Sequence, residues 1–226
     1  SESNLGIAAM EYRRVQIIRV TKDTDWADPN TVAQTIDLVN AYPGTSIHGS
    51  LQCTPWTQWT TMNTYKHGIS FWKKMIEERQ SSIAMVKSFI KVAEIVLQQG
   101  GEASFEWPRY CHGWLIPELV AFISAWNLYT VDVDGCECGM TNAAGEPILK
   151  KWRFVTSSRR MAESLSALTC KHEKGFKHGV IEGKETPKSA FYPLLLCHKI
   201  LSSLFGFYER TCAMPCGPVQ QCGHRE

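Results

Sequence analysis

The sequence predicts an α/β domain in which a mostly parallel sheet carries helices on both faces. Three observations lead there. Short apolar runs of strand length alternate along the chain with stretches of helical periodicity. Clusters rich in Gly, Pro, Asn and Asp separate them. The 226 residues are 44% hydrophobic, enough to fill one core. Strands that alternate with helices are most simply joined by crossovers, which bury the sheet between two helical layers.

The elements follow in order. RVQIIRV, residues 14–20, reads as a buried first strand, and the polar TKDTDWADP ends it. Asp28-Pro29 is a cap and first-turn pair, and Val32, Ile36 and Val39 behind it fall at helical spacing up to Asn40. SIHGSL is a short strand, broken by QCTPW. Ile83, Val86, Ile90, Ala93 and Leu97 form the clearest helical stripe, stopped by Gly100-Gly101. EASFEWP is a strand, LIPELVAFISAW a helix, LYTVDVDG a strand, and EPILKKWRFVTS one more strand after the turn-forming NAAGE. SAFYPLLLCHKILSSLFGFYE closes the pattern as a helix. The domain is expected over residues 1–208, with a Cys-rich tail over 209–226.

Composition narrows the function. A formal charge of +2 announces no polybasic surface, so any nucleic-acid contact has to be local. The nine cysteines are scattered and odd in number, and no stretch resembles a signal peptide, which argues against a disulfide framework. A reducing intracellular compartment, cytoplasm or nucleus, is expected. Lys, Glu, Ser or His interrupts the longest apolar stretches, so neither reads as a membrane span.

In sheets of this type ligands collect beyond the carboxyl ends of the strands. Those ends carry Cys53 after SIHGSLQ, Glu106 within ASFEWP and the DGCECG turn of residues 134–139, and KKWR adds Lys150 to Arg153. A thiol, a carboxyl group and an arginine on one rim are a set suited to attack on an electrophilic ring or carbonyl. Each also has a structural alternative. Cys53 is either a nucleophile or a small core residue, Glu106 either an acid or a strand-end partner, and Arg153 either a substrate contact or a snorkelling side chain.

QCT after one strand, FEW after the next, and DGCECG...GEPILKKWR beyond resemble the motif order of cytosine-5 methyltransferases, with their Pro-Cys loop, Glu-Asn-Val strand end and arginine-bearing strand. HGSLQCTPWTQW, SFEWPRYC, VDVDGCECGM, KKWRFVTS and SAFYP are similar, over roughly residues 1 to 205, to a methyltransferase-like domain of retroelement polyproteins and protist genomes.

The resemblance implies a Rossmann-like fold and S-adenosylmethionine-dependent methylation of nucleic acid. Cys53 would attack C6 of a cytosine drawn out of its stack, Glu106 would hold or protonate the ring edge, and Arg153 would contact base or backbone. SESNLG would match the cofactor loop through Ser3, Asn4, Leu5 and Gly6, with Asp23 or Asp25 as either the ribose ligand or a plain loop residue. Gln52 stands where the nucleophile is normally preceded by proline, and no Gly-x-Gly turn accompanies SESNLG. On that comparison the chain is a fragment or its cofactor site is degenerate. The alternative function is a non-catalytic domain of a mobile-element or viral polyprotein that binds nucleic acid or protein. An amino-methyltransferase is more distant, since CTPW lacks the leading acid of the Asp-Pro-Pro-Tyr loop.

Trp56, Trp59, Lys66 and Lys73 are either a stacking and phosphate-binding lid beside Cys53 or an aromatic-packed helix. For metal, Cys212, Cys216, Cys222 and His224 in the tail could supply a tetrahedral zinc set, with a cysteine-rich disordered end as the alternative. CKHEKGFKH offers Cys170, His172 and His178 but no fourth ligand nearby, so a polar loop is expected there.

Overall fold

The computed structural model describes residues 3–12, 15–20, 24–180 and 190–205, without the side chains of Trp59 and Thr61. In chain order the elements are α1 (Asn4–Ala9), α2 (Pro29–Ala41), β1 (Ile47–Gly49), α3 (Gln58–Gln98), β2 (Ala103–Pro108), α4 (Pro117–Ala125), β3 (Tyr129–Asp134), β4 (Lys151–Thr156), α5 (Arg159–Ser166) and α6 (Leu194–Phe205). Asp28 caps α2 by accepting from the Asn30 amide, with Pro29 in the first turn. Gly68 (φ 73°, ψ −158°) interrupts α3, a conformation open to glycine because it has no Cβ.

Among the described residues the sheet has four strands in the order β1-β2-β4-β3. The α/β class holds, but a mostly parallel sheet does not form: β1 and β2 pair parallel, and β4 pairs antiparallel with both β2 and β3. A parallel neighbour needs a crossover. Residues 135–150 between β3 and β4 hold only a short 3-10 turn and loop, so the chain folds back antiparallel. The strand expected over 14–20 is also absent from its described part, 15–20, where Ile17, Ile18 and Val20 are exposed and pair with none of the described strands. SESNLG is not a loop either, because Asn4 onward is helical.

Side-chain alternation divides the core. Trp152 and Phe154 of β4 face α5 and α6 with Met161, Leu165, Leu196 and Ile200. Phe105, Trp107 and Val155 face α3 and α4 with Phe89, Leu119 and Phe122. Helices thus cover both faces, as expected. α2 adds an outer layer, with Val32 and Val39 against Val92 and Val96 of α3. No described helix is long and apolar enough to cross a membrane.

β4 is the one reversed strand. β1, β2 and β3 therefore point the same way, and their carboxyl ends share a rim with the start of β4.

Candidate active site and metal centre

The parallel register sets Gly49 beside Phe105, which brings Ser50 level with Glu106. The Ser50 hydroxyl donates to Glu106 Oε2 at 3.1 Å. Trp107 Nε1 donates to the Leu51 carbonyl at 2.8 Å, tying the outgoing loop to β2. Beyond that tie the chain enters the 3-10 turn Thr54–Trp56, with Cys53 immediately before it. The loop is held at both ends, so the half-buried thiol has a defined place.

Glu106 points to the α6 face and is buried. Tyr192, in the SAFYP segment before α6, donates its hydroxyl proton to Glu106 Oε2 at 2.5 Å. Because that hydroxyl donates to the carboxylate, it accepts from His48, whose Nε2 lies 3.4 Å away. Nδ1 is then the unprotonated nitrogen and accepts from Ser104 Oγ at 2.8 Å. The result is a directed chain, Ser104 to His48 to Tyr192 to Glu106.

Burial governs the charges. It pushes the Glu106 carboxyl from 4.5 to about 7, against the Tyr192 and Ser50 hydrogen bonds and the nearby Lys150 ammonium, all of which favour the anion. It pulls His48 from 6.5 down to about 4, so the imidazole is neutral at neutral pH. The Cys53 thiol is raised, first by burial and then by Glu106, with Lys150 opposing. Lys150 is itself lowered by burial and held up by Glu106 and Cys53. Thiol, carboxyl and ammonium therefore sense one another, and a carboxyl near 7 can both take and give a proton under neutral conditions.

Arg153 is not part of this group. It sits opposite Trp107 and Asp132 in the sheet, on the face away from Glu106, and grips both Asp132 oxygens at 2.8 and 3.2 Å. Arg109 joins the same carboxylate at 3.0 Å. Alternation along β4 forces this separation, and Lys150, just before the strand, supplies the cation instead.

The expected cofactor residues are committed elsewhere. Ser3 Oγ caps α1 by accepting from the Gly6 amide at 3.1 Å, and Asn4 Nδ2 donates to the Tyr192 carbonyl at 2.8 Å. Leu5 packs on the α6-side core, and Arg19 fills the space over Gly6. These residues do not fit S-adenosylmethionine as a cradle. Asp23 lies outside the described residues.

Trp56 is half-buried, with Nε1 donating to Ser82 Oγ at 2.8 Å and Arg79 over its ring at 5.3 Å, so it packs the loop onto α3. Trp59 opens α3, and its side chain is outside the described set. Lys66 and Lys73 are exposed, as are Tyr65, Ile69 and Trp72 around them.

The tail set Cys212, Cys216, Cys222 and His224 lies outside the described residues. A different set does assemble. Cys136, in the turn after β3, meets Cys170, His172 and His178 with all four ligand atoms within 4.8 Å of one another. The fourth ligand that the CKHEKGFKH segment lacks locally comes from DGCECG, which reaches it through the fold. No family model, curated protein or solved structure matches the chain.

Proposed function

We propose that this is a methyltransferase-like domain acting on nucleic acid, with Cys53 adding to C6 of a cytosine and Glu106 serving as the acid at the ring edge. One observation carries it: the Cys53 thiol and the Glu106 carboxyl, from the loop after β1 and from its parallel neighbour β2, interact electrostatically with each other and with Lys150, and burial raises that carboxyl to about 7. The Cys53 proton passes to Glu106, the sulfur–C6 bond forms as the C5–C6 π electrons move into the ring, and Glu106 delivers its proton to the ring nitrogen. The proton is conserved and no further reactant is consumed. Tyr192 and Ser50 orient the carboxyl, and Lys150 favours the thiolate.

S-adenosylmethionine is the methyl donor that the resemblance implies, in a Rossmann-like fold. No step is routed through it, because Ser3, Asn4, Leu5 and Gly6 are engaged otherwise. The target strand would lie along the part of α3 that spans the Gly68 break, where Lys66 and Lys73 offer cations and Tyr65 and Trp72 offer exposed aromatic faces. A reducing compartment, cytoplasm or nucleus, suits a thiol nucleophile.

A non-catalytic nucleic-acid- or protein-binding domain is the competing function, favoured by the packing of Cys53 against the Phe105 core and by the engaged α1 residues. Covalent capture separates the two. DNA and RNA oligonucleotides carrying azacytosine are incubated with the full chain and the intact mass is read. An adduct that disappears in Cys53→Ser at unchanged melting temperature supports the enzyme. Absence of any wild-type adduct leaves the binding function. Calorimetric titration with S-adenosylmethionine tests the donor separately.

A further inference from the structure

We infer that Cys136, Cys170, His172 and His178 hold a structural zinc ion that locks the outer end of the rim. The donor set is two thiols and two imidazoles, the borderline-soft mixture zinc takes in closed tetrahedral sites. Cys170 Sγ lies 3.2 Å from His172 Nδ1 and 3.4 Å from His178 Nε2. Zinc bonds at tetrahedral angles place sulfur and nitrogen ligands about 3.6 Å apart, so small outward shifts admit the ion.

The surroundings orient the ligands independently of any metal. The backbone amide of Cys170 donates to Asp134 Oδ2 at 2.8 Å, and the Lys171 amide to Glu137 Oε1 at 3.1 Å, which fixes the loop to the turn bearing Cys136. The Gly179 amide donates to the Pro147 carbonyl at 2.8 Å, fixing the His178 end. The two imidazoles stand nearly perpendicular, at 88°, and the Phe176 ring stacks on His172 at 4.1 Å. Side chains from two distant segments thus converge on one point with their lone-pair atoms facing.

On binding, the two thiols release their protons and Zn²⁺ takes two thiolates and two neutral imidazoles, leaving a site of no net charge. Four protein ligands leave no open position for water or substrate, so the ion is a staple. It joins the end of β3 to the loop after α5. Asp134, which anchors that loop, also contacts Lys151 at 3.7 Å, next to the Lys150 of the candidate active site.

Metal content of the full chain, purified without chelator and with Cys212, Cys216 and Cys222 changed to Ser, tests the site apart from the tail. About one zinc per chain is expected there, and none after the further changes Cys136→Ser and Cys170→Ser. To separate loss of ligands from loss of folding in those variants, the tail variant is also stripped with chelator and titrated with Co²⁺. Intense visible bands of tetrahedral cobalt with thiolate charge transfer, saturating at one equivalent and accompanied by a rise in Tm, are expected. Zinc content that survives the Cys136 and Cys170 changes, or cobalt that gives only the weak octahedral spectrum, would overturn the assignment.

Discussion

Glu106 and His48 should impose opposite pH dependences on stability that nearly cancel in the wild type. Glu106 titrates near 7 in the folded chain against 4.5 unfolded. Between those values the folded state holds the proton and the unfolded state does not, so stability falls as pH rises. His48 titrates near 4 folded against 6.5 unfolded. There the unfolded state holds the extra proton, so stability falls as pH drops. Each difference is two and a half pK units, on the order of 3 kcal/mol, in overlapping windows of opposite sign. Glu106→Gln keeps the shape and one acceptor oxygen for Tyr192 and Ser50 but removes one titration. That variant should lose about 3 kcal/mol on going from pH 7 to pH 4, relative to the wild-type profile. His48→Gln should gain by a similar amount over the same range. Urea denaturation followed by tryptophan fluorescence at half-unit pH steps measures both. Identical pH profiles for wild type and Glu106→Gln would refute the buried, proton-holding carboxyl.

Tyr192→Phe removes the hydrogen bond that most favours the Glu106 anion, so the carboxyl midpoint should climb above about 7 by roughly one to two units, read from its infrared C=O band. Lys150→Met takes away the cation that lowers both Cys53 and Glu106, and thiolate falls about tenfold per unit of thiol shift, so capture of azacytosine should slow at neutral pH. Asp132→Asn disturbs only the Arg153 and Arg109 pairs on the opposite face, and capture kinetics should stay at the wild-type rate. Gly113→Ala would place a methyl carbon 2.2 Å from Trp107 Cζ3, so a loss of about 1–3 kcal/mol is expected by denaturation, with looser tethering of Leu51.

β2, β3 and β4 were legible as short apolar or β-branched runs bounded by turn residues, and the stripe from Ile83 to Leu97 by its helical spacing. The direction of β4 was not, since it depends on whether residues 135–150 form a crossover helix, and a loop of Gly, Asn and Pro residues decides that. The run at 14–20 carries the apolar content of a strand, but a strand also needs a neighbour's free edge, which local sequence does not reveal. α5 is two turns long, too short for periodicity to stand out, and is defined by the Ser158 cap and the burial of Met161 and Leu165. At the site, strand-end position picked out Cys53 and Glu106, while the alternation that turns Arg153 away becomes visible only once register is known. Tyr192, His48 and Ser50 lay inside segments already singled out, SAFYP and HGSLQC, and contribute through contacts across the chain. Cys136 completes a ligand set whose other members lie beyond β4 and α5, a separation that no local spacing rule covers.

The rate of azacytosine capture as a function of pH tests the Cys53 and Glu106 pair most directly. If Glu106 must receive the thiol proton and pass it to the ring, the reactive form is a thiolate beside a protonated carboxyl. Its population rises with pH only up to the carboxyl midpoint and then stays constant until the thiol itself ionises. The wild-type rate should therefore level off above about pH 7. Glu106→Gln, relying on thiolate alone, should be slower and keep climbing about tenfold per pH unit through the same range. Parallel profiles for the two proteins would contradict the pairing and leave Cys53 reacting without its carboxyl partner.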